Sequence, residues 1–221
     1  MTKVNISAIT QPRVSGVNTA EEFVAYAARV SNPGNQMNTL TATKLVKYLY
    51  DHKHWSPFEM VSVTMEIETT RAIAHQIVRH RSFSFQEFSQ RYADPKALGD
   101  VYVPSEARLQ DHKNRQNSVE TEDNELHAIW REKQDEVFRT AMDAYTWAVT
   151  NGIAKEVARN PLPEGMTKSR LYMAGTLRSW IHYVQARGPG SGTQKEHMEI
   201  AAQALPLLLE EFPSLTELLG Q

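Results

Sequence analysis

A chain of 221 residues, 41% hydrophobic and 23% charged, has the composition of an ordinary globular protein, with enough length for one domain over residues 1–221 and a sizeable core. Lys and Arg (24) nearly balance Asp and Glu (26), for a formal charge of −2, which disfavours a general nucleic-acid or membrane-surface binder and makes any anion site a local cluster. The absence of cysteine excludes disulfides, thiolate metal sites and a catalytic thiol. No apolar run approaches the ~18 residues of a membrane span. The start, Met1-Thr2-Lys3-Val4-Asn5, lacks a signal peptide's apolar segment, so the expected location is cytoplasmic, with no membrane partner.

Residues 3–10 alternate weakly and predict an opening strand that ends before Gln11-Pro12. Thr19-Ala20-Glu21-Glu22 has the form of a capping box, so a helix follows through Phe23, Ala27 and Val30 and stops before Asn32-Pro33-Gly34. A second helix begins near Thr39, carries Leu45, Val46 and Leu49 on one face, and ends around Asp51-His52-Lys53-His54. Trp55-Ser56-Pro57-Phe58 reads as a turn or loop.

Residues 61–69 alternate with period two and form the clearest strand: Val61, Val63, Met65 and Ile67 face inward, with Glu66 and Glu68 on a solvated face. Helical spacing takes over in residues 70–78, and a dense polar stretch, 79–92, follows directly. Residues 93–121 are polar and irregular, and read as a long loop. Residues 123–149 give the longest helical pattern, with an apolar stripe of Leu126, Ile129, Trp130, Val137, Ala141, Tyr145 and Ala148. Trp130 and Trp180 are expected in the core.

A short helix over 153–159 breaks at Asn160-Pro161-Leu162-Pro163. Residues 171–174 can form a strand, and Thr176 can cap a helix running to Arg187. A glycine-rich link, 188–192, precedes a last helix over 193–212, which Pro206 is expected to kink. Few strands, many helices and no regular alternation between them predict an α+β fold, a small mainly antiparallel sheet flanked by several helices.

The stretch 79–92 concentrates the chemistry. Arg79, Arg81 and Arg91 carry planar forks of donors suited to phosphate and carboxylate. Ser89 and nearby backbone N–H groups can add phosphate donors, Glu87 can accept from sugar hydroxyls, Gln76 can bond a base edge, and His80 can stack or donate. The plainer reading has these arginines paired with Glu66, Glu68 and Glu87 at the surface. Ser89 has no evident triad-type base, so it is read as a phosphate ligand rather than a nucleophile. Two rival readings stay open. One is a metal-dependent nucleotide hydrolase using His52, His54, His75 or His80, although no recognised metal-ligand spacing supports it. The other is a nucleic-acid-binding module that stacks bases on Phe83, Phe85, Phe88 and Tyr92.

Arg79-His80-Arg81, seven residues and then Ser89 resembles the RHR-x7-S signature of the flavin-dependent thymidylate synthases. Glu87-x-Ser89-x-Arg91-Tyr92, the upstream His54-x-Ser56-Pro57-Phe58-Glu59 and the downstream Arg178-Ser179 followed by Arg187 agree with it over residues 27–200. The resemblance implies a homotetramer of α/β subunits with shared active sites. It implies reductive methylation of dUMP to dTMP, with carbon from 5,10-methylenetetrahydrofolate and electrons from NADPH through FAD; the ligand inventory, with no thiolate and no recognised metal spacing, leads to the expectation of no metal. By the same resemblance Ser56, Arg79, His80, Arg81, Glu87, Thr176, Leu177, Arg178 and His182 contact FAD. Gln76, Ile77, Val78, Arg79, Glu87, Phe88, Ser89, Gln90, Arg91 and Arg159 contact dUMP, partly from a neighbouring subunit. Arg187 takes the place of the arginine that binds uracil and favours loss of its N3 proton. The chain departs from many members, which have Asn where it has Gln86, Thr176 and His182. Without a cysteine nucleophile, the ring has to be activated electrostatically.

Overall fold

The structure, a computed structural model, describes residues 2–219; Met1, Gly220 and Gln221 lie outside it. In chain order the elements are β1 (Lys3–Ile9), α1 (Ala20–Ala28), α2 (Ala42–Asp51), β2 (Ser62–Thr70), α3 (Arg71–Ile77), β3 (Phe83–Glu87), β4 (Arg108–Gln110), β5 (Ser118–Glu120), α4 (Asn124–Thr150), α5 (Lys155–Ala158), β6 (Lys168–Thr176), α6 (Leu177–Arg187), α7 (Lys195–Glu211) and α8 (Thr216–Leu219). Four strands form an antiparallel sheet in the order β1-β2-β6-β3, and β4-β5 is a separate hairpin. The fold is the expected α+β arrangement.

The period-two pattern of β2 works as expected on its apolar side. Val63, Met65 and Ile67 are fully buried, as are Leu171 and Met173 on β6. Leu177 and Trp180 of α6 and Ile200, Ala204 and Leu208 of α7 complete this core. Each such side chain contributes about 1.5–3 kcal/mol by leaving water. The Trp180 indole donates to the Val63 carbonyl at 3.0 Å, so its one polar atom is satisfied inside the core.

The polar face of β2 differs from the expected solvated one. Glu68 is held by Arg170 and by Lys168, the latter at 2.9 Å, and Tyr172 donates to Glu66 at 2.7 Å. Burial works against the Glu68 carboxylate, but its bonds to Lys168 and Arg170 outweigh that and hold its pKa below the usual value. Cross-strand register explains the pairing, because Glu68 faces Arg170 and Glu66 faces Tyr172 on the neighbouring strand.

Local signals place several termini. The capping box at Thr19 and Glu22 forms, and Thr70, Asp123 and Thr176 cap α3, α4 and α6. Residues 56–60, expected as a turn or loop, make a short 3₁₀ helix, and the strand at 171–174 extends to nine residues. The 93–121 segment is less irregular than expected, with a 3₁₀ turn at Pro95–Leu98, a bridge from Tyr102 to Thr167 and the β4-β5 hairpin. Strand β3 was not expected.

The α4 stripe is a further correction. Ala141, Tyr145 and Ala148 are buried, whereas Ile129, Trp130 and Val137 are 48%, 42% and 53% exposed. Trp130 is therefore not a core residue, unlike Trp180. At 27 residues, α4 is about 40 Å long, and its Tyr145 and Ala148 form a second, smaller cluster with Ala158 and Leu162.

Candidate functional site

Strand β3 pairs with β6 from Phe83 opposite Gly175 to Glu87 opposite Leu171. Five residues of strand span ~17 Å. The two halves of the 79–92 stretch therefore sit at opposite ends of one edge strand.

At the first end, α3 stops at Ile77 and the chain turns, with His80 N–H donating to the Ile77 carbonyl at 3.0 Å and Phe83 N–H to the His80 carbonyl at 3.3 Å. The Phe83 ring covers Gly175, where a Cβ would come within 2.4 Å of it. His80 then meets Tyr183 edge-on at 5.1 Å between ring centroids. Arg187, the last residue of α6, donates through Nε to His80 Nε2 at 3.1 Å. Burial, then the charges of Arg187 and His182, push the His80 pKa below its ordinary value. Behind it, His197 Nε2 lies 3.1 Å from the Tyr183 hydroxyl. Burial, then Arg187 and His80, lower the His197 pKa to about 4, and burial raises that of Tyr183 despite Arg187.

The other expected flavin contacts belong to this end, together with the expected dUMP contacts Gln76, Ile77 and Val78, except Glu87, which β3 carries to its opposite end. Arg79 and Arg81 are exposed, and among the described residues neither has a carboxylate within 4.0 Å. Arg178 pairs with Glu59 at 3.6 Å, joining α6 to the turn that starts at Ser56. His182 is exposed. The Thr176 hydroxyl accepts from Ser179 N–H as a helix cap. Leu177 is fully buried and donates its N–H to the Val61 carbonyl at 2.8 Å. Ile77 is likewise fully buried, Val78 is 38% exposed, and Gln76 donates to Gln194 at 2.7 Å.

At the second end, the Glu87 carboxylate accepts from Ser169 at 2.7 Å and from Arg71 at 3.4 Å, and Phe88 N–H bonds the Arg170 carbonyl. Glu66, Glu68 and Glu87 are thus occupied by Arg170, Lys168 and Arg71, not by Arg79, Arg81 and Arg91. Ser89 is exposed, and its carbonyl closes a turn by accepting from Tyr92 and Ala93. Arg91 reaches Glu156 at 3.4 Å. Arg71, Gln90, Arg159, Asn160, Leu162 and Glu164 line a cavity of about 280 Å³. Gln90 is 2% exposed, and its Nε2 has no hydrogen-bond partner. Two guanidinium groups and an unpartnered amide donor form a set suited to phosphate.

Arg71, Tyr183, Gln194 and His197 were missed in the sequence. Tyr183 had a signal, its spacing of one helical turn from Arg187; the other three had none without tertiary contacts. Of the histidines proposed for a metal, His52 and His54 lie together around Tyr48 with ring centroids 6.1 Å apart, whereas His75 faces Glu164 at 3.3 Å and His80 holds Arg187. Among the described residues, no cluster of three or more His, Asp or Glu gathers as metal ligands. Phe83 is 9% exposed and packs on Trp180, so it offers no base-stacking face. No described helix is long and apolar enough to cross a membrane.

The family model described as "Thymidylate synthase complementing protein" matches residues 14–214. A probable flavin-dependent thymidylate synthase from Paramecium bursaria Chlorella virus 1 is 49% identical over 211 residues, covering 96% of this chain and 95% of its own. The flavin-dependent thymidylate synthase of Synechocystis is 49% identical over 195 residues, covering 88% and 87%. Among solved structures, a UMP/dUMP methylase, PolB, from Streptomyces cacaoi with bound 5-Br dUMP superposes with a TM-score of 0.82 at 26% identity, covering 98% of this chain and 93% of that one.

Proposed function

Because the chain belongs to the flavin-dependent thymidylate synthase family, we propose that it methylates dUMP to dTMP, taking carbon from methylenetetrahydrofolate and electrons from NADPH through FAD. The observation that carries this reading is Arg187, oriented by an uncharged imidazole in a chain with no cysteine. A guanidinium set against the pyrimidine stabilises the N3-deprotonated ring and raises electron density at the carbon to be methylated. Thiolate attack is unavailable, so activation falls to this field and to positioning.

The phosphate of dUMP fits the second end of β3, in the cavity of Arg71, Gln90 and Arg159 with Ser89 and Arg91 at its margin. Arg79, Arg81 and Arg178 fit the anionic part of FAD, with Ser56 and His182 near it. For Leu177 and Ile77 only backbone contacts fit, since both side chains are buried. When bound, the flavin supplies the hydride that reduces the transferred one-carbon unit to a methyl group. The ~17 Å between the ends of β3 favours sites shared between subunits of a homotetramer, each end serving a different site. A cytoplasmic enzyme acting on free nucleotides is the corresponding cellular reading.

The direct test is dUMP-dependent NADPH oxidation with FAD and methylenetetrahydrofolate, scored for dTMP. Purified protein is expected to be yellow or to take up FAD with a flavin absorption band; failure to bind FAD at all would falsify the reading. Ser89→Ala is expected to weaken dUMP binding yet leave measurable catalysis. Complete loss of turnover with dUMP bound at full affinity would instead make Ser89 a chemical participant.

A further inference from the structure

His197 lies in the first turn of α7 and is 1% exposed, and its hydrogen-bond partner Tyr183 is fully buried. Tyr183 precedes Arg187 by one turn of α6, so both project from one helix face. The Tyr183 ring meets His80 edge-on at 5.1 Å, and the His197 ring stands 6.0 Å from His80. Side-chain contacts therefore run without a gap from α7 through Tyr183 and His80 to Arg187. The backbone after Arg187 is tied back to α6, with Gly188 N–H donating to the Val184 carbonyl at 2.9 Å, so the Arg187 side chain starts from a fixed helix end and its direction is left to its side-chain contacts.

A buried imidazole bonded to a hydroxyl is often no more than a satisfied core pair. Here the hydroxyl belongs to the ring that packs on His80, and His80 has to present a bare nitrogen, because a guanidinium can only donate. We propose that His197 is a positioning residue for Arg187, acting through Tyr183 and His80; this rests on the assignment of Arg187 to the pyrimidine. As the Nδ1–H tautomer, His197 accepts a hydrogen bond at Nε2 from the Tyr183 hydroxyl and fixes the phenol ring, and that ring holds His80 with Nε2 toward Arg187. Without that acceptor, the buried Tyr183 hydroxyl is unpartnered and competes with Arg187 for His80. The titratable and charged groups facing His80 are Arg187, His182 and Tyr183 from α6 and His197 from α7. The fixed charge of Arg187 opposes protonation of His80, so the relay holds at neutral pH and fails when His80 or His197 takes up a proton.

The test compares His197→Leu with His197→Gln, whose amide oxygen can still accept from Tyr183, and with Arg187→Ala. It reads kcat and dUMP KM of the FAD-loaded enzyme against pH, the thermal midpoint, and histidine ring 15N shifts of the flavin-free protein. His197→Leu is expected to lower kcat about 10-fold or more, to move the acid limb of the kcat profile, and to leave KM nearly unchanged. His197→Gln is expected to restore most of kcat. In the parent and in His197→Gln, His80 is expected to show a bare Nε2 and a protonated Nδ1, and in His197→Leu that signature changes. Parent kcat and acid limb in folded His197→Leu, or a loss that only tracks the folded fraction, overturns the proposal. If His197→Leu does not fold, Tyr183→Phe decides: it keeps the ring but cuts the tether, so a parent kcat and acid limb in that variant also overturn the proposal. Parent turnover in Arg187→Ala defeats the assignment of Arg187 instead, while the His80 signature still tests the relay.

Discussion

Arg187 donates through Nε to Nε2 of His80 at 3.1 Å across 107 positions of sequence, and the bond defines the charge of both partners. A guanidinium has no acceptor, so His80 is the neutral member. Burial, followed by the charges of Arg187 and His182, keeps it so. The arrangement aims a permanent cation without neutralising it, unlike pairing with a carboxylate.

For Arg187→Ala, dTMP formation is expected to fall by about 100-fold or more, the usual size of losing one electrostatic donor to a reacting group. The thermal midpoint should change little, since Arg187 lies at a helix end and outside the core. Normal dTMP production by this variant would remove Arg187 from the chemistry.

Stability is expected to rise with pH between about 4 and 6.5. His197 titrates near its ordinary 6.5 when unfolded and at about 4 when folded, so the unfolded chain binds more protons throughout that window. The shift corresponds to about 3 kcal/mol, lost progressively on acidification from 6.5 toward 4. His80, shifted the same way, adds to the slope. Urea midpoints measured across this range should flatten in His197→Gln; a curve parallel to the parent's would show that His197 does not drive the slope.

Gln90→Leu should separate stability from binding. Gln90 is 2% exposed with an unpartnered Nε2, and replacing such a group by an apolar one of similar shape is neutral or stabilising, by up to about 1 kcal/mol. The same change removes a donor from the cavity shared with Arg71 and Arg159, and dUMP is expected to bind about 10-fold more weakly. Calorimetry with dUMP and a thermal melt without it check both halves. Unchanged dUMP affinity would place the phosphate elsewhere.

Gly175→Ala is expected to destabilise by about 1–3 kcal/mol, because the new Cβ would meet the Phe83 ring at 2.4 Å. The Phe83 ring is packed against His80, Trp180 and Tyr183, so displacing it presses on the turn that carries His80. Both the melting temperature and kcat should fall; a lowered melting temperature with kcat untouched would mean that the turn absorbs the strain.

Elements with strong local rules were legible. Thr19 with Glu22 and Thr176 before Leu177 place helix starts, since a cap needs only a side chain and a backbone N–H a turn away. The alternation from Val61 to Ile67 identified the central strand's buried side. Strand β3 was not legible, because Phe83-Ser84-Phe85-Gln86-Glu87 becomes a strand only through pairing with β6, more than eighty positions later. The α4 stripe misled for a related reason: periodicity shows which face is apolar, not how much of it has a neighbour.

From the sequence alone came the family signature, the dense cationic stretch and the exclusion of a thiol nucleophile, because residue types and short spacings are local properties. Only the tertiary structure decided that the stretch divides across an edge strand, that Glu87 belongs to Arg71 and Ser169, and that His80 faces Arg187 with Tyr183 and His197 behind it. Those relationships depend on sheet register and helix packing over 14 to 107 positions, and no short-range pattern encodes them.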